Sequence, residues 1–426
     1  MAKKTIEDLG EISGKRVLVR VDFNVAISPK DPKTRDEARI TDDTRIRAAV
    51  PTIEALLEKN ARVILVSHMG RPDGNVVEGL RLDCVARRLR ELLPQNVLKI
   101  DDCIGPKVAA AVLNMKAGSV LLLENVRFQA AEESKDDLCR VGFAERLADL
   151  ADIYVSDAFG TAHRDHASTC SIAKVMKGLG KPCVAGLLMR DELEFLGKAI
   201  ENPEKPYVVI LGGAKVKDKI KLIKNLIGVA DTLLIGGGMA YTFWKAAGAK
   251  IGGSLCEDSM VDEVATLMKI AEAQKTDIIF AVDSIAAAPL KKDENGKIIS
   301  PKEMWVCDID ELGIPDGLVG YDIGPVSAKI FDTHIKSAAT VVWNGPMGMF
   351  EVAAFDEGTQ AVAESMADAE ALTIVGGGDS AAAVTQMGFA DRMKFISTGG
   401  GASLEFLQGD VLPGVAVLDE NELAAV

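Results

Sequence analysis

An α/β fold with parallel sheets, divided over two domains, is what this sequence predicts. Three observations lead there. Short β-branched runs alternate with longer stretches of helical period, as strands and helices do in α/β proteins. The runs are continuously apolar rather than alternating, which marks strands buried on both faces. Near the middle, a helix-period stretch ends in ENPEKP at 201–206, whose two prolines signal a turn between domains. At 426 residues the chain is too long for one ordinary core.

In the first half, strands are predicted at Arg16–Val21, Arg62–Ser67, Ser119–Glu124 and Ile153–Ser156. In the second half they are predicted at Tyr207–Leu211, Thr232–Ile235, Asp277–Val282, Thr340–Trp343, Leu372–Val375 and Lys394–Ser397. Helical spacing connects Leu82, Val85, Leu89 and Leu92, and again Val216, Ile220, Ile223, Ile227 and Ala230. Met189, Leu193, Leu196 and Ile200 have the same spacing and define a connecting helix. The division is therefore 1–185, a connecting helix and linker at 186–206, and 207–407. Residues 28–39 are polar and turn-rich, and read as a surface loop.

The turns after the strands differ between the halves. The first-half turns carry Arg, His, Asp and Asn: VDFN at 21–24, SHMGRP at 67–72, ENVRF at 124–128 and DAFGTAHRDH at 157–166. The second-half turns carry glycine: LGGAKVKDK at 211–219, IGGGMA at 235–240, WNGPMG at 343–348, VGGGDS at 375–380 and STGGGAS at 397–403. In open α/β sheets, ligands bind beyond the carboxyl ends of strands, and these turns all fall at such ends.

In the first half, Asp22 and Asn24 offer an acceptor and an amide suited to a hydroxyl or carboxylate. His68, Arg71, Arg127, His163, Arg164 and His166 end other strands. Guanidinium forks grip phosphate or carboxylate bidentately. Any one of them could be a solvated charge, but their clustering at strand ends favours an anion site. Arg87, Arg88 and Arg90 lie mid-helix, and a solvated face explains them better.

In the second half, LGGAKVKDK is read with a helix starting near Lys215, so that Lys215 and Lys219 share a face of its first turns. A helix N-terminus with two lysines makes a phosphate site. Lys217, Lys221 and Lys224 are read as solvent-facing. In VGGGDS, Gly377 and Gly378 precede Asp379 and Ser380; Asp379 is either a helix cap or a carboxylate holding Mg²⁺ against phosphate oxygens. Asn344 and Glu351 flank a Gly-Pro turn, within reach of phosphate and ribose.

Composition excludes other classes. Net charge is −14 and aromatics are 5%, which disfavours nucleic acid and anionic membranes as partners. The seven cysteines are scattered without C-x-x-C spacing, so reduced thiols in a cytoplasmic protein are expected. No apolar signal core or 18-residue apolar span is visible. No G-x-x-x-x-G-K-[ST] occurs. GGGDSA matches a loose dinucleotide fingerprint, leaving a nicotinamide-dependent dehydrogenase as the alternative, but no acidic ribose ligand follows at 396–398.

The ordered series RVDFNV, TRIRAAVPTI, SHMGRP, LLLENVRF, SDAFGTAHR, GGAKVKDKI, GGGMAYTF, VWNGPMGMFE, VGGGDS and STGGGASLEFL closely resembles the phosphoglycerate kinases, from about residue 5 to the C-terminus. The resemblance implies two Rossmann-like domains with parallel sheets joined by a hinge helix, with a tail at about 408–426 returning to the first domain. It implies reversible, Mg-dependent phosphoryl transfer from 1,3-bisphosphoglycerate to ADP, giving 3-phosphoglycerate and ATP, by a cytoplasmic monomer. Residues 1–185 would bind 3-phosphoglycerate and 207–407 the nucleotide. Asp22, Phe23, Asn24, Arg45, His68, Met69, Gly70, Arg71, Arg127 and Arg164 resemble the family's substrate contacts. Arg45 and Lys215 resemble its catalytic cations. Lys219, Gly238, Gly320, Asn344, Glu351, Gly377, Gly378, Asp379 and Ser380 resemble its nucleotide site, with Gly238 and Gly320 at the adenine and Asp379 at Mg²⁺. Two departures stand beside the substrate strand: Ala26 replaces a usual proline, and the 28–39 loop is longer.

Overall fold

A computed structural model describes residues 3–29, 32–34, 36–294 and 296–421. It resolves into two compact units, one of Met1–Glu194 with Val411–Val426 and one of Phe195–Asp410. The division falls inside the helix Leu187–Glu201.

The first unit is built on a six-stranded sheet in the order Val97–Lys99, Val120–Leu122, Arg62–Val66, Arg16–Val21, Ile153–Asp157, Cys183–Ala185. Every neighbouring pair is parallel. The central strand Arg16–Val21 is buried from Val17 onward, which is why it reads as one apolar run. The helix Thr44–Glu58 buries Ile46, Ala49, Ile53, Leu56 and Leu57, a stripe at helical spacing. These side chains join Val17, Val19, Val21, Phe23 and Met69 in one core. Residues 411–421 complete this unit. Asp419 exchanges main-chain bonds with Cys183 and Lys4, at 2.8 Å each, and the Gly414 amide donates to the Ala162 carbonyl at 2.8 Å. The last residues of the expected tail, 422–426, lie outside the described residues.

The second unit has a parallel six-stranded sheet in the order Asp277–Phe280, Thr232–Ile235, Tyr207–Leu211, Thr340–Asn344, Leu372–Gly376, Phe395–Ile396. The chain runs outward from Tyr207–Leu211 to one edge, then returns to its other side at Thr340–Asn344. The carboxyl ends of these two strands are the topological switch point, where open α/β sheets bind ligands.

Three local features add to or change the expectations. A three-stranded antiparallel sheet, Trp305–Asp308, Asp283–Ala287 and Val319–Ile323, stands beside the parallel one. Its strands mix polar and apolar residues and carried no buried-strand signature. The helix read as starting near Lys215 begins at Ile220 and ends at Leu226. Val216 is fully buried and keeps the period from a turn rather than from a helix. The 28–39 segment is exposed over most of its described residues, as a surface loop should be, but it is tied down. Ala26–Ser28 pairs antiparallel with Arg39–Asp42, and Pro32 and Ala38 are buried. Lys30, Asp31 and Arg35 of that segment lie outside the described residues. No described helix is long and apolar enough to cross a membrane.

Candidate functional site

In the first unit, parallel register sets the strand ends side by side, so the turns after Val21, Val66 and Leu122 share one edge of the sheet. Arg45 lies in the first turn of the helix Thr44–Glu58, where a cation opposes the helix dipole. Asp22 offsets this: Arg45 meets its Oδ2 at 3.2 Å and donates to the Asn24 carbonyl at 2.9 Å. The Gly70 amide donates to Asn24 Oδ1 at 2.9 Å. Asn125 joins two more turns, accepting from the Met69 and Arg127 amides and donating to the Met69 carbonyl. Arg127 donates to the Gly70 carbonyl at 2.8 Å and pairs with Glu133 at 2.8 Å. Arg71 and Arg164 are exposed, and Arg164 Nε lies 3.1 Å from His163 Nε2.

Phe23 and Met69 are placed differently from the polar residues around them. Their side chains belong to the hydrophobic core, so only their main chain could face a ligand. The sequence reading missed Arg20. Its guanidinium is 1% exposed, with Nε donating to Ser168 Oγ at 2.8 Å and Nη2 3.2 Å from His68 Nδ1. Burial, Arg20, Arg127 and Arg45 hold the His68 pKa well below the usual histidine value. His166 is pushed down to about 3, by burial first and then by Arg127 and Arg20. Both rings are neutral, so the positive charge here is carried by arginines.

In the second unit, a cavity of about 330 Å³ opens at the switch point. Lys215, Asp218, Lys219, Asn344 and the turn Gly377–Ser380 line it, with Gly212, Gly213 and Gly345. The glycines allow backbone to meet backbone. A Cβ on Gly345, which has φ +96, would lie 2.3 Å from the Gly212 carbonyl oxygen. Gly377 has φ +93 and ψ 145 and caps the helix Gly378–Gln386, in a region that only glycine adopts readily. Ser380 Oγ accepts from the Gly345 amide at 2.6 Å, and Asn344 Nδ2 donates to the Gly376 carbonyl at 3.0 Å. Asp379 is exposed at the start of that helix.

Lys219 is the helix cap at 9% exposure, and its ammonium donates to Asn344 Oδ1. Burial lowers its pKa to about 8, against the pull of Asp218 and Asp379. Lys215 is exposed on the turn before it. Asp218 was missed, although it stands between the two lysines in KVKDK.

Gly238, Gly320 and Glu351 do not line this cavity. Glu351 is exposed. Gly320 is buried on the antiparallel sheet, where a Cβ would lie 2.2 Å from the Tyr241 hydroxyl. Its smallness admits the Tyr241 ring. Asp83, Asp101 and Glu124 are close enough to share an ion, but Lys99 Nζ sits among them at 3.0, 2.6 and 2.6 Å.

Comparison with known proteins bears on the family. Residues 6–410 match the family model described as phosphoglycerate kinase. The chain is 50% identical over 421 residues to the phosphoglycerate kinase of Moorella thermoacetica, covering 99% of this chain and 100% of the relative. It is 50% identical over 424 residues to that of Dictyoglomus turgidum, with the same coverage. The structure of phosphoglycerate kinase from Coxiella burnetii superposes with a TM-score of 0.83 at 37% identity, over 97% of this chain and 98% of that one. The Pyrococcus horikoshii enzyme gives 0.79 at 30% identity with equal coverage. A dehydrogenase finds no support in these matches. The two parallel sheets, the cavity at the switch point and the ordered motifs agree with one conclusion: the chain belongs to the phosphoglycerate kinase family.

Proposed function

We propose that this protein is a phosphoglycerate kinase of glycolysis, transferring a phosphoryl group reversibly between 1,3-bisphosphoglycerate and ADP. The observation that carries the reading is the pairing of an arginine-lined strand edge in one unit with a lysine- and glycine-lined cavity in the other, in a chain 50% identical to named members of the family. The first unit would hold 3-phosphoglycerate through Asp22, Asn24, Arg45, His68, Arg71, Arg127 and Arg164, with main-chain groups of Phe23, Met69 and Gly70. The second would hold ADP or ATP through Lys219, Asn344 and Gly377–Ser380, with Gly238, Gly320 and Glu351 toward adenine and ribose.

In the direction of ATP use the acceptor is a carboxylate, ionised at pH 7, so no general base is needed. What remains is positioning and neutralisation of charge on the moving phosphoryl group. Lys215 is suited to that work, as an exposed point charge beside a fixed phosphate cradle. Lys219 and the amides at the start of Gly378–Gln386 would hold the phosphates that stay behind. Arg45, steered by Asp22, would face the transferred group from the glycerate side.

The donor set fits a magnesium ion. Asp379 presents an exposed carboxylate beside the phosphate cradle, and Mg²⁺ commonly takes one or two carboxylates with substrate phosphates. When bound, the ion would neutralise phosphate charge. The two ligands belong to different units, so hinge bending at Leu187–Glu201 is part of the proposal. So are a monomeric state, small-molecule partners only and a cytoplasmic location, the last in keeping with seven free cysteines.

A coupled assay supplying 3-phosphoglycerate and MgATP, read through a downstream NADH-dependent dehydrogenase, tests the activity. Turnover that requires both substrates is expected. Absence of turnover, with NADH binding to this protein itself, would overturn the reading.

A further inference from the structure

Beneath the arginine site runs a buried chain of side chains that leads to His68, with Arg20 Nη1 also donating to the Val21 carbonyl. Glu132 is 1% exposed and Ser168 is fully buried. The Ser168 amide donates to Glu132 Oε2 at 3.0 Å, and its hydroxyl bonds Glu132 Oε1 at 2.6 Å. The same hydroxyl accepts from Arg20 Nε at 2.8 Å. Having accepted there, it is the donor to Glu132, so the carboxylate is used as an acceptor twice. Burial raises the Glu132 pKa and Arg20 opposes that rise. At its other end Arg20 Nη2 lies 3.2 Å from His68 Nδ1.

Donor and acceptor counting then fixes the imidazole. A guanidinium has only donors, so Nδ1 must present its lone pair to Arg20. The ring proton of neutral His68 is consequently on Nε2. The charged groups around the ring are Arg20, Arg45 and Arg127, with His166 also near; Asp22 Oδ1 faces the same Nδ1 but at 3.8 Å, beyond hydrogen-bond distance. Burial first, and then the arginines, keep the ring neutral.

We propose that Glu132 and Ser168 are positioning residues. They anchor Arg20 so that it holds His68 in the Nε2–H tautomer, a neutral hydrogen-bond donor for the anionic ligand of the first unit. This rests on the proposed function for the identity of that ligand, but not for the tautomer. Without Ser168, the Arg20 guanidinium is drawn to the bare Glu132 carboxylate and releases His68 Nδ1. The ring then distributes its proton over both nitrogens, and its donor no longer points one way.

Histidine-labelled, ligand-free enzyme read by ¹⁵N NMR at neutral pH tests the tautomer directly. An unprotonated Nδ1 and protonated Nε2 are expected for His68 in the wild type. A protonated Nδ1 overturns the proposal, whatever the enzyme's activity. In Ser168→Ala the signals should move toward a mixture. KM for 3-phosphoglycerate should rise about tenfold, the scale of one misdirected hydrogen bond to a charged group, with KM for ATP unchanged. Glu132→Gln should give a smaller change of the same kind. An unchanged His68 tautomer in both variants, or equal losses for both substrates, also overturns it. If the wild-type tautomer is as expected and shifts in Ser168→Ala, but 3-phosphoglycerate is not a substrate, the functional reading fails and the positioning role stands.

Discussion

The two candidate sites would meet negative charge by opposite means. In the first unit the charged groups are side chains, and their forks are aimed by other side chains and by turn carbonyls. Arg45 is set by Asp22, Arg127 by Glu133 and the Gly70 carbonyl, and Arg20 by Ser168. In the second unit the frame is main chain. Gly212 and Gly345 let two turns touch, and Gly377 turns the next strand into a helix start. Among the described residues, only Lys215 and Lys219 bring positive side chains to that cavity. The difference teaches that a compact ligand of fixed shape suits a ring of aimed forks, whereas a polyphosphate suits a wall of amides.

The contrast can be broken most forcefully at Lys215. Lys215→Ala should lower kcat by about 10²-fold, as loss of other charge-stabilising groups does, with smaller changes in either KM. Near-wild-type turnover in the coupled assay would remove Lys215 from its role. Gly377→Ala tests the main-chain frame. A side chain at φ +93 should cost about 1–3 kcal/mol in thermal or urea unfolding, and KM for ATP should rise while that for 3-phosphoglycerate holds. Arg71→Ala tests the side-chain ring. KM for 3-phosphoglycerate should rise about tenfold, the worth of one charge-assisted bond, and KM for ATP should hold. Equal losses for both substrates would erase the division between sites.

The smallest effect concerns pH. Lys219 titrates at about 8 in the native chain, against 10.5 as an ordinary lysine. The native state therefore releases this proton first. Its contribution to stability rises with pH between about 8 and 10.5, and its burial cost is felt in full below 8. Phosphate binding runs the other way, because the ammonium is lost as pH rises. The kcat/KM for ATP should fall about twofold by pH 8, where half the lysines are neutral. Lys219→Arg, which stays protonated, should flatten that limb of the pH profile. A wild-type profile without this limb would show that nucleotide binding does not depend on the charge of Lys219.

Legibility in the sequence followed locality. The glycine turns and the strand-end arginines are contiguous strings, so a linear reading finds them. Lys215 and Lys219 were found but given the wrong helix start, because buried Val216 extends the 3.6 period into a turn. Phe23 and Met69 sit among polar residues in sequence, in the turns just past Val21 and Val66, yet their side chains pack into the core. Gly320 offers no linear clue that its missing Cβ makes room for Tyr241.

By itself, then, the sequence determined the α/β class, the family and the strand ends that carry charge. Each of these depends on residues close together along the chain. Only the tertiary structure decided which charges are propped, which are neutral and which glycines face a cavity. Arg20 reaches Ser168 across 148 positions, and Lys219 reaches Asn344 across 125. Such pairings, and the burial that lowers the pKa values of His68 and Lys219, arise only when distant segments pack and exclude water.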